Sequence, residues 1–298
     1  MGSNDIRQRQ SASGPSNDEI EWVRLRKELI LAGKVDLYNA SYGHYEEDAY
    51  REIRIETYGQ DLGQTSWVVT RESREIPRAL KLTASSYVLE IGCGSGRYAL
   101  QVAETTGCRV LGVDLNRAGI QNANRLAEAA NLAGHVRFEH RDASKRHAFG
   151  KKRFDAAFAN DVLCHIPDRL ALLQELFRVL QRGARLLFSD ALVIGGPISD
   201  QEIATRSSIG KYIFVPPGEN ERMIRQAGFR LLKVTDTTRN ATLIAERRFA
   251  ARNKRKRILS RVEGRANFEG VQQFLACVAR LTAERRLLRF VYLAEKRS

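Results

Sequence analysis

Apolar residues fall in two rhythms along the 298-residue chain. From Tyr87 onward, short runs alternate with stretches whose apolar positions recur at three and four: YVLEI (87–91), RVLGV (109–113), VRFEH (136–140), FDAAFAN (154–160) and ARLLFSD (184–190). The runs have the length of buried strands. The spaced stretches predict amphipathic helices opening near Arg97, Arg117 and Pro167, the last carrying Leu170, Leu173, Leu176, Phe177 and Leu180 on one face. Two further strands, FRLLKVTD (229–236) and LLRFVYLAEK (287–296), bracket a helical stretch in which Val271, Phe274, Leu275, Val278 and Leu281 keep the same spacing. Repeated strand–helix alternation predicts an α/β protein with a Rossmann-like, doubly wound, mostly parallel seven-stranded sheet. The expected organisation is a polar tail over 1–18, an N-terminal helical lid over 19–80, and a sheet domain over 81–298 with a helical insertion at about 237–286. A helix ending at Gly33 opens the lid.

Composition narrows the class. No run of about 18 apolar residues occurs, and MGSNDIRQRQSASGPSND lacks a secretory apolar stretch, so a cytoplasmic protein without membrane contact is expected. The four cysteines are far apart and form no Cys-x-x-Cys pair, which predicts reduced thiols and no metal site. The 49 Lys and Arg against 35 Asp and Glu give a formal charge of +14, part of it concentrated in RRFAARNKRKR (247–257). Such a run is either a solvated helix face or a contact for polyanions.

The densest chemical signal is VLEIGCGSGRYAL (88–100), with three glycines in five positions directly after a strand. Glycines there indicate a tight turn pressed against other atoms, and in an open parallel sheet ligands sit beyond the carboxyl ends of the strands. The pattern is Glu90-x-Gly92-x-Gly94-x-Gly96, not the Gly-x-Gly-x-x-Gly of pyrophosphate loops, and its acidic residue suits a cationic partner. The second strand ends in Asp114, eighteen residues after Gly96, where a carboxylate can accept from both ribose hydroxyls. The third leads to Asp142, placed for an adenine edge. Three carboxylates at three successive strand ends describe a site for a nucleoside carrying positive charge, which S-adenosylmethionine is.

In this order, VLEIGCGSG, GVDLN, RDAS, FDAAFANDVLCHIPD and VLQRGARLLFSDAL resemble the successive motifs of class I S-adenosylmethionine-dependent methyltransferases, over about residues 85–195. Arg182-Gly183-Ala184 departs from the Pro-Gly-Gly many members have before strand five. NDVLCHIPDR, with its His-x-Pro-Asp, is similar to the small-molecule branch that includes sarcosine/dimethylglycine and phosphoethanolamine methyltransferases. The resemblance implies S-adenosylmethionine as cofactor and S-adenosylhomocysteine as product. It implies cofactor contacts at Glu90, Gly92, Gly94, Gly96, Asp114, Leu115, Asp142, Ala143 and Asn160, with Gln64 added from the Gly- and Gln-rich segment 58–67.

Methyl transfer is an in-line displacement on a sulfonium carbon, so the protein has to align a nucleophile, exclude water and remove a proton. His165, directly after strand four, is the candidate base. Tyr42 and Tyr45 are candidate catalytic phenols, and Tyr38, His44, Trp67, Asp161 and Tyr212 are candidate substrate contacts, since aromatic faces and hydroxyls suit amines and hydroxyl nucleophiles. The expected acceptor is a nitrogen, oxygen or activated carbon of a small molecule, handled by a monomer or homodimer. A nucleic-acid methyltransferase using the basic stretch is the alternative, weakened by the absence of an Asn/Asp-Pro-Pro-aromatic signature after strand four. A non-catalytic cofactor-binding scaffold is the second alternative, and the three carboxylates disfavour it.

Overall fold

The computed structural model describes residues 35–61, 63, 65–151 and 153–297. The polar tail and the helix ending at Gly33 lie outside the described residues, as does Gln64.

Among the described residues, three helices precede the sheet: α1 (Leu37–Gly43), α2 (Asp48–Tyr58) and α3 (Thr70–Ala79). The core then alternates as β1 (Tyr87–Ile91), α4 (Arg97–Thr106), β2 (Arg109–Asp114), α5 (Arg117–Ala129), β3 (Val136–His140) and β4 (Phe154–Ala159). A 3-10 turn (Leu163–His165) leads to α6 (Arg169–Val179), β5 (Leu180–Ile194), α7 (Asp200–Arg206), α8 (Glu219–Gln226) and β6 (Phe229–Asp236). Helices α9 (Thr238–Lys254), α10 (Lys256–Val262) and α11 (Arg265–Ala283) stand between β6 and the last strand, β7 (Leu287–Lys296).

The seven strands lie in the order β3-β2-β1-β4-β5-β7-β6. β1 to β5 are mutually parallel, and β7 runs antiparallel between β5 and β6. The order reverses between β1 and β4, which places a crevice beyond their carboxyl ends. Alternate residues of β1 feed the two faces: Leu89 and Ile91 join Leu172, Leu173 and Leu176 of α6, and Val88 joins Leu100 and Ala103 of α4 and Ala123 of α5. That two-sided burial is why the strand reads as a continuous apolar run.

Two boundaries differ from the sequence reading. α6 opens at Arg169 because Asp168 caps it, its carboxylate accepting from the Ala171 amide at 2.9 Å, and Pro167 is left outside. β5 is 15 residues long because its partner β7 extends the pairing to Ile194, and because Gly183, in the left-handed region at φ 76°, lets the strand begin at Leu180.

The insertion shares a core with the N-terminal helices. Ala241, Ile244 and Ala245 of α9 and Val271, Phe274 and Val278 of α11 pack with Leu37, Tyr58 and Trp67. Its basic stretch is largely consumed by this packing. Arg248 and Arg252 are buried, Arg252 on Glu263. Lys254 reaches Glu56 at 2.8 Å, and Arg255 reaches Glu52 and Glu56 at 2.9 and 2.6 Å, all across to α2. Four of the seven basic residues therefore hold helices together.

Candidate active site

β1 runs into a loop whose Gly92, Gly94 and Gly96 all have φ between 52° and 75°. Each also lacks room for a side chain, against different neighbours. A Cβ on Gly92 would fall 2.3 Å from Val162, on Gly94 2.5 Å from the Tyr42 hydroxyl, and on Gly96 2.4 Å from Phe138. Gly92 and Gly94 line the cavity described below. Gly96 does not; it lets α4 begin tight against Phe138 of β3. Asp114 anchors the loop, one carboxylate oxygen accepting from the Gly94 amide at 2.8 Å and the other from the Asn116 amide at 2.7 Å.

Glu90 is 1% exposed and does not line the cavity, and burial pushes its carboxyl well above the usual range.

A cavity of about 530 Å³ opens at the switch point, within the range that encloses a drug-sized ligand. One end is walled by the glycine loop with Asp114, Leu115, Asp142, Ala143 and Asn160. A nucleoside fits this end: backbone stripped of side chains, a carboxylate beyond β2, and an Asp142 whose burial is slight and whose charge Ser144 hydrogen bonds hold below the usual carboxylate pKa. Asp114→Ala is expected to weaken S-adenosylhomocysteine binding by about 1–3 kcal/mol, roughly 5- to 150-fold in Kd, since ribose hydroxyls would lose their acceptor and the loop its anchor. Titration calorimetry checks this, and unchanged affinity in a folded variant would overturn the assignment.

The other end is aromatic. Tyr38 of α1, His165 of the 3-10 turn and Tyr212 of the segment after α7 meet there. The Nδ1 of His165 donates to the Lys211 carbonyl at 3.0 Å, which leaves Nε2 with a lone pair that the Tyr38 hydroxyl, 3.2 Å away, donates to. The Tyr212 hydroxyl stands 3.2 Å from that of Tyr38 and completes a line of three. Burial, with a smaller push from Arg206, holds the imidazole pKa below its ordinary 6.5 against the opposing Lys211 bond and the Asp190 and Asp161 charges. Burial likewise raises both phenols, so they remain protonated donors.

Trp67, Thr65 and Ser66 line the cavity, and so does Tyr42, whose phenol lies over the glycine loop. Three other expectations are corrected. His44 turns away: its Nδ1 pairs with Glu47 at 2.6 Å and its ring stacks on Tyr50. Tyr45 is buried outside the cavity, under the Arg54 guanidinium at 4.4 Å and against Gly63. Asp161 borders the cavity, but its carboxylate is spent on the protein. Oδ1 accepts from Arg289 Nε at 2.9 Å and from Ser189 at 2.8 Å, and Oδ2 accepts from the Trp67 amide at 2.9 Å. Arg289, fully buried, also binds Glu72 at 2.8 Å, so strand β7, the turn after β4 and helix α3 meet at one charge. Cys164 lines the cavity, but its thiol is buried, raised in pKa by that burial, and donates to the Asp161 carbonyl. Among the described residues no His, Cys, Asp and Glu grouping could hold a metal ion.

The sequence reading missed Arg289 and Arg206. Arg289 sits in a run that reads as strand, and Arg206 ends DQEIATR, a stretch with the polarity of a solvated helix; nothing local marks either as buried.

Strand order and a glycine-lined cavity at the switch point define a Rossmann-like α/β fold with a ligand-sized site beyond the strand ends. Residues 89–188 match the family model described as "Methyltransferase domain". The O-methyltransferase resE of Aspergillus sclerotiorum is 33% identical over 174 residues, 57% of this chain and 64% of that protein. The O-methyltransferase cnsE of Penicillium expansum is 30% identical over 200 residues, 66% of this chain and 67% of that protein. The chain thus spans about two thirds of the length of these relatives. In fold it is similar to phosphoethanolamine N-methyltransferase 2 of Haemonchus contortus, solved with phosphomonomethylethanolamine and S-adenosylhomocysteine, at a TM-score of 0.73 and 19% identity over 89% of this chain and 61% of that one. The chain belongs to the class I S-adenosylmethionine-dependent methyltransferases.

Proposed function

We propose that this chain moves the methyl group of S-adenosylmethionine to a heteroatom of a small organic acceptor, with His165 as the base. The observation that carries the reading is the Tyr212–Tyr38–His165 line facing the same cavity as the glycine loop and Asp114. Gly92, Gly94, Asp114, Asp142 and Asn160 would hold the nucleoside and amino-acid parts, and the bound sulfonium supplies the electrophilic carbon. Tyr38, fixed between two partners, directs a hydroxyl at the acceptor position and passes its proton toward Nε2, which is unprotonated at neutral pH. Leu37, Ile209 and Trp67 keep water from that end. A small acceptor is favoured over a macromolecular one because four of the seven basic residues of the stretch 247–257 are taken up in packing between helices.

Incubating the protein with tritiated-methyl S-adenosylmethionine and either a metabolite extract or bulk RNA tests the reading. Label in small molecules and none in RNA is expected. Because the base must be deprotonated, the rate is full above the His165 pKa and falls as pH drops through it, so the acid limb of kcat/KM is expected to inflect below pH 6.5. An inflection above 6.5 would remove His165 from the role.

A further inference from the structure

Arg206 is 1% exposed, yet it borders the acceptor end of the cavity and pairs with no carboxylate among the described residues. Its Nε and Nη1 make no hydrogen bond. The guanidinium carbon stands 4.4 Å from the Tyr212 ring centroid, 5.1 Å from that of Phe274 and 5.9 Å from that of Trp67, so the charge is caged by aromatic faces. Such faces compensate a desolvated cation only in part. The two buried carboxylates whose fields reach His165 are already held by other arginines, Asp161 by Arg289 and Asp190 by Arg169 at 2.5 Å. The acceptor end therefore presents a positive charge that no carboxylate lining the cavity pairs with.

From this geometry we infer that the methyl acceptor is an acidic hydroxyl, a phenol or enol, whose oxyanion is stabilised by Arg206. The inference rests on the methyl-transfer reading above and names its acceptor. Arg206 and His165 both pack on Tyr212, at 4.4 Å in each case, so the charge lies beside the proton path. An imidazole of lowered basicity removes a proton more readily from a group that is itself acidic, and a neighbouring cation makes a hydroxyl more acidic. An ammonium acceptor would instead meet an uncompensated like charge. The step balances: the hydroxyl proton goes to Nε2 of His165 through Tyr38, an oxygen lone pair forms the new bond to the methyl carbon, and the carbon–sulfur bond breaks with its electrons going to sulfur. The aromatic cage suits a flat, unsaturated acceptor body.

The test uses the full chain saturated with S-adenosylhomocysteine and four probes on one ring system: 2-naphthol, naphthalene-2-carboxylate, naphthalene-2-carboxamide and 2-naphthylmethylammonium. Calorimetry is expected to rank the anion above the carboxamide by at least about tenfold, with the ammonium weakest. Bound 2-naphthol, followed by its ultraviolet band, is expected to ionise roughly 1–3 pH units below its value in Arg206→Met, and Arg206→Lys should restore part of the shift. The wild-type ranking stands even if a variant fails to fold. Failure of the anion to outrank the carboxamide, a preference for the ammonium, or naphthol ionisation unmoved by Arg206→Met would each overturn the inference. A carboxylate that gains from Arg206 while the naphthol does not would also overturn the hydroxyl assignment. S-adenosylhomocysteine binding on the same samples separates the two readings: intact binding with no anion preference defeats Arg206 alone, whereas no binding by the wild type defeats the methyl-transfer reading beneath it.

Discussion

His165→Ala is expected to lower kcat by about 10²–10⁴-fold, the usual contribution of a positioned base, while leaving the Kd for S-adenosylhomocysteine within a factor of about two. The split follows from the geometry. His165 is joined to Tyr38 and the Lys211 carbonyl at the acceptor end, and the contacts that would hold a nucleoside come from β1, β2 and the segment after β3. Steady-state kinetics at several pH values with parallel calorimetry measures both quantities. Two results would defeat the assignment: equal losses in affinity and turnover, which would move His165 into the cofactor site, and a loss that does not diminish as pH rises. At high pH an acidic acceptor ionises unaided and the base becomes dispensable.

Arg289→Met is expected to be the most destabilising single change near the site. Removing the guanidinium leaves Asp161 buried with an uncompensated charge, a situation that costs about 3–5 kcal/mol, or a fall in Tm on the order of 10 °C for a chain of this size. Glu72 would lose its reason to hold α3 against β7. Adding Asp161→Asn should recover part of the loss, because the neutral amide can keep the Trp67 and Ser189 contacts without a charge. Scanning calorimetry on the two variants decides it, and a single variant as stable as the wild type would show that Arg289 is not the keystone of this contact.

The cofactor end was largely legible in the sequence because its determinants are local. A strand, a glycine turn and a carboxylate at the next strand end follow one another within 28 residues of chain, from Tyr87 to Asp114. Even there, Glu90 and Gly96 do not line the cavity: the one is buried and the other packs against Phe138. A motif shows that a residue type is required, not which atom requires it. The acceptor end was legible only at His165, Tyr38, Trp67 and Tyr212. His44 and Tyr45 share an aromatic-rich segment with Tyr38 and point elsewhere, because whether a side chain of α1 or its neighbours faces the cavity depends on α2 and the insertion. Arg206 was invisible for the same reason: Phe274, one wall of its cage, is 68 positions away.

That difference in range has a kinetic side. Tyr38 meets His165 across 127 residues and Tyr212 across 174, and α1, which carries it, has only seven residues. So short a helix does not persist alone in water, and contacts spanning such loops form late, after their closure entropy has been met. The half of the crevice that would grip the nucleoside can thus be built by neighbouring stretches of chain, whereas the half that would choose the acceptor exists only once both ends of the polypeptide have come together. Faster amide exchange over residues 37–43 than over β1 and β2 is the result expected of such a build order.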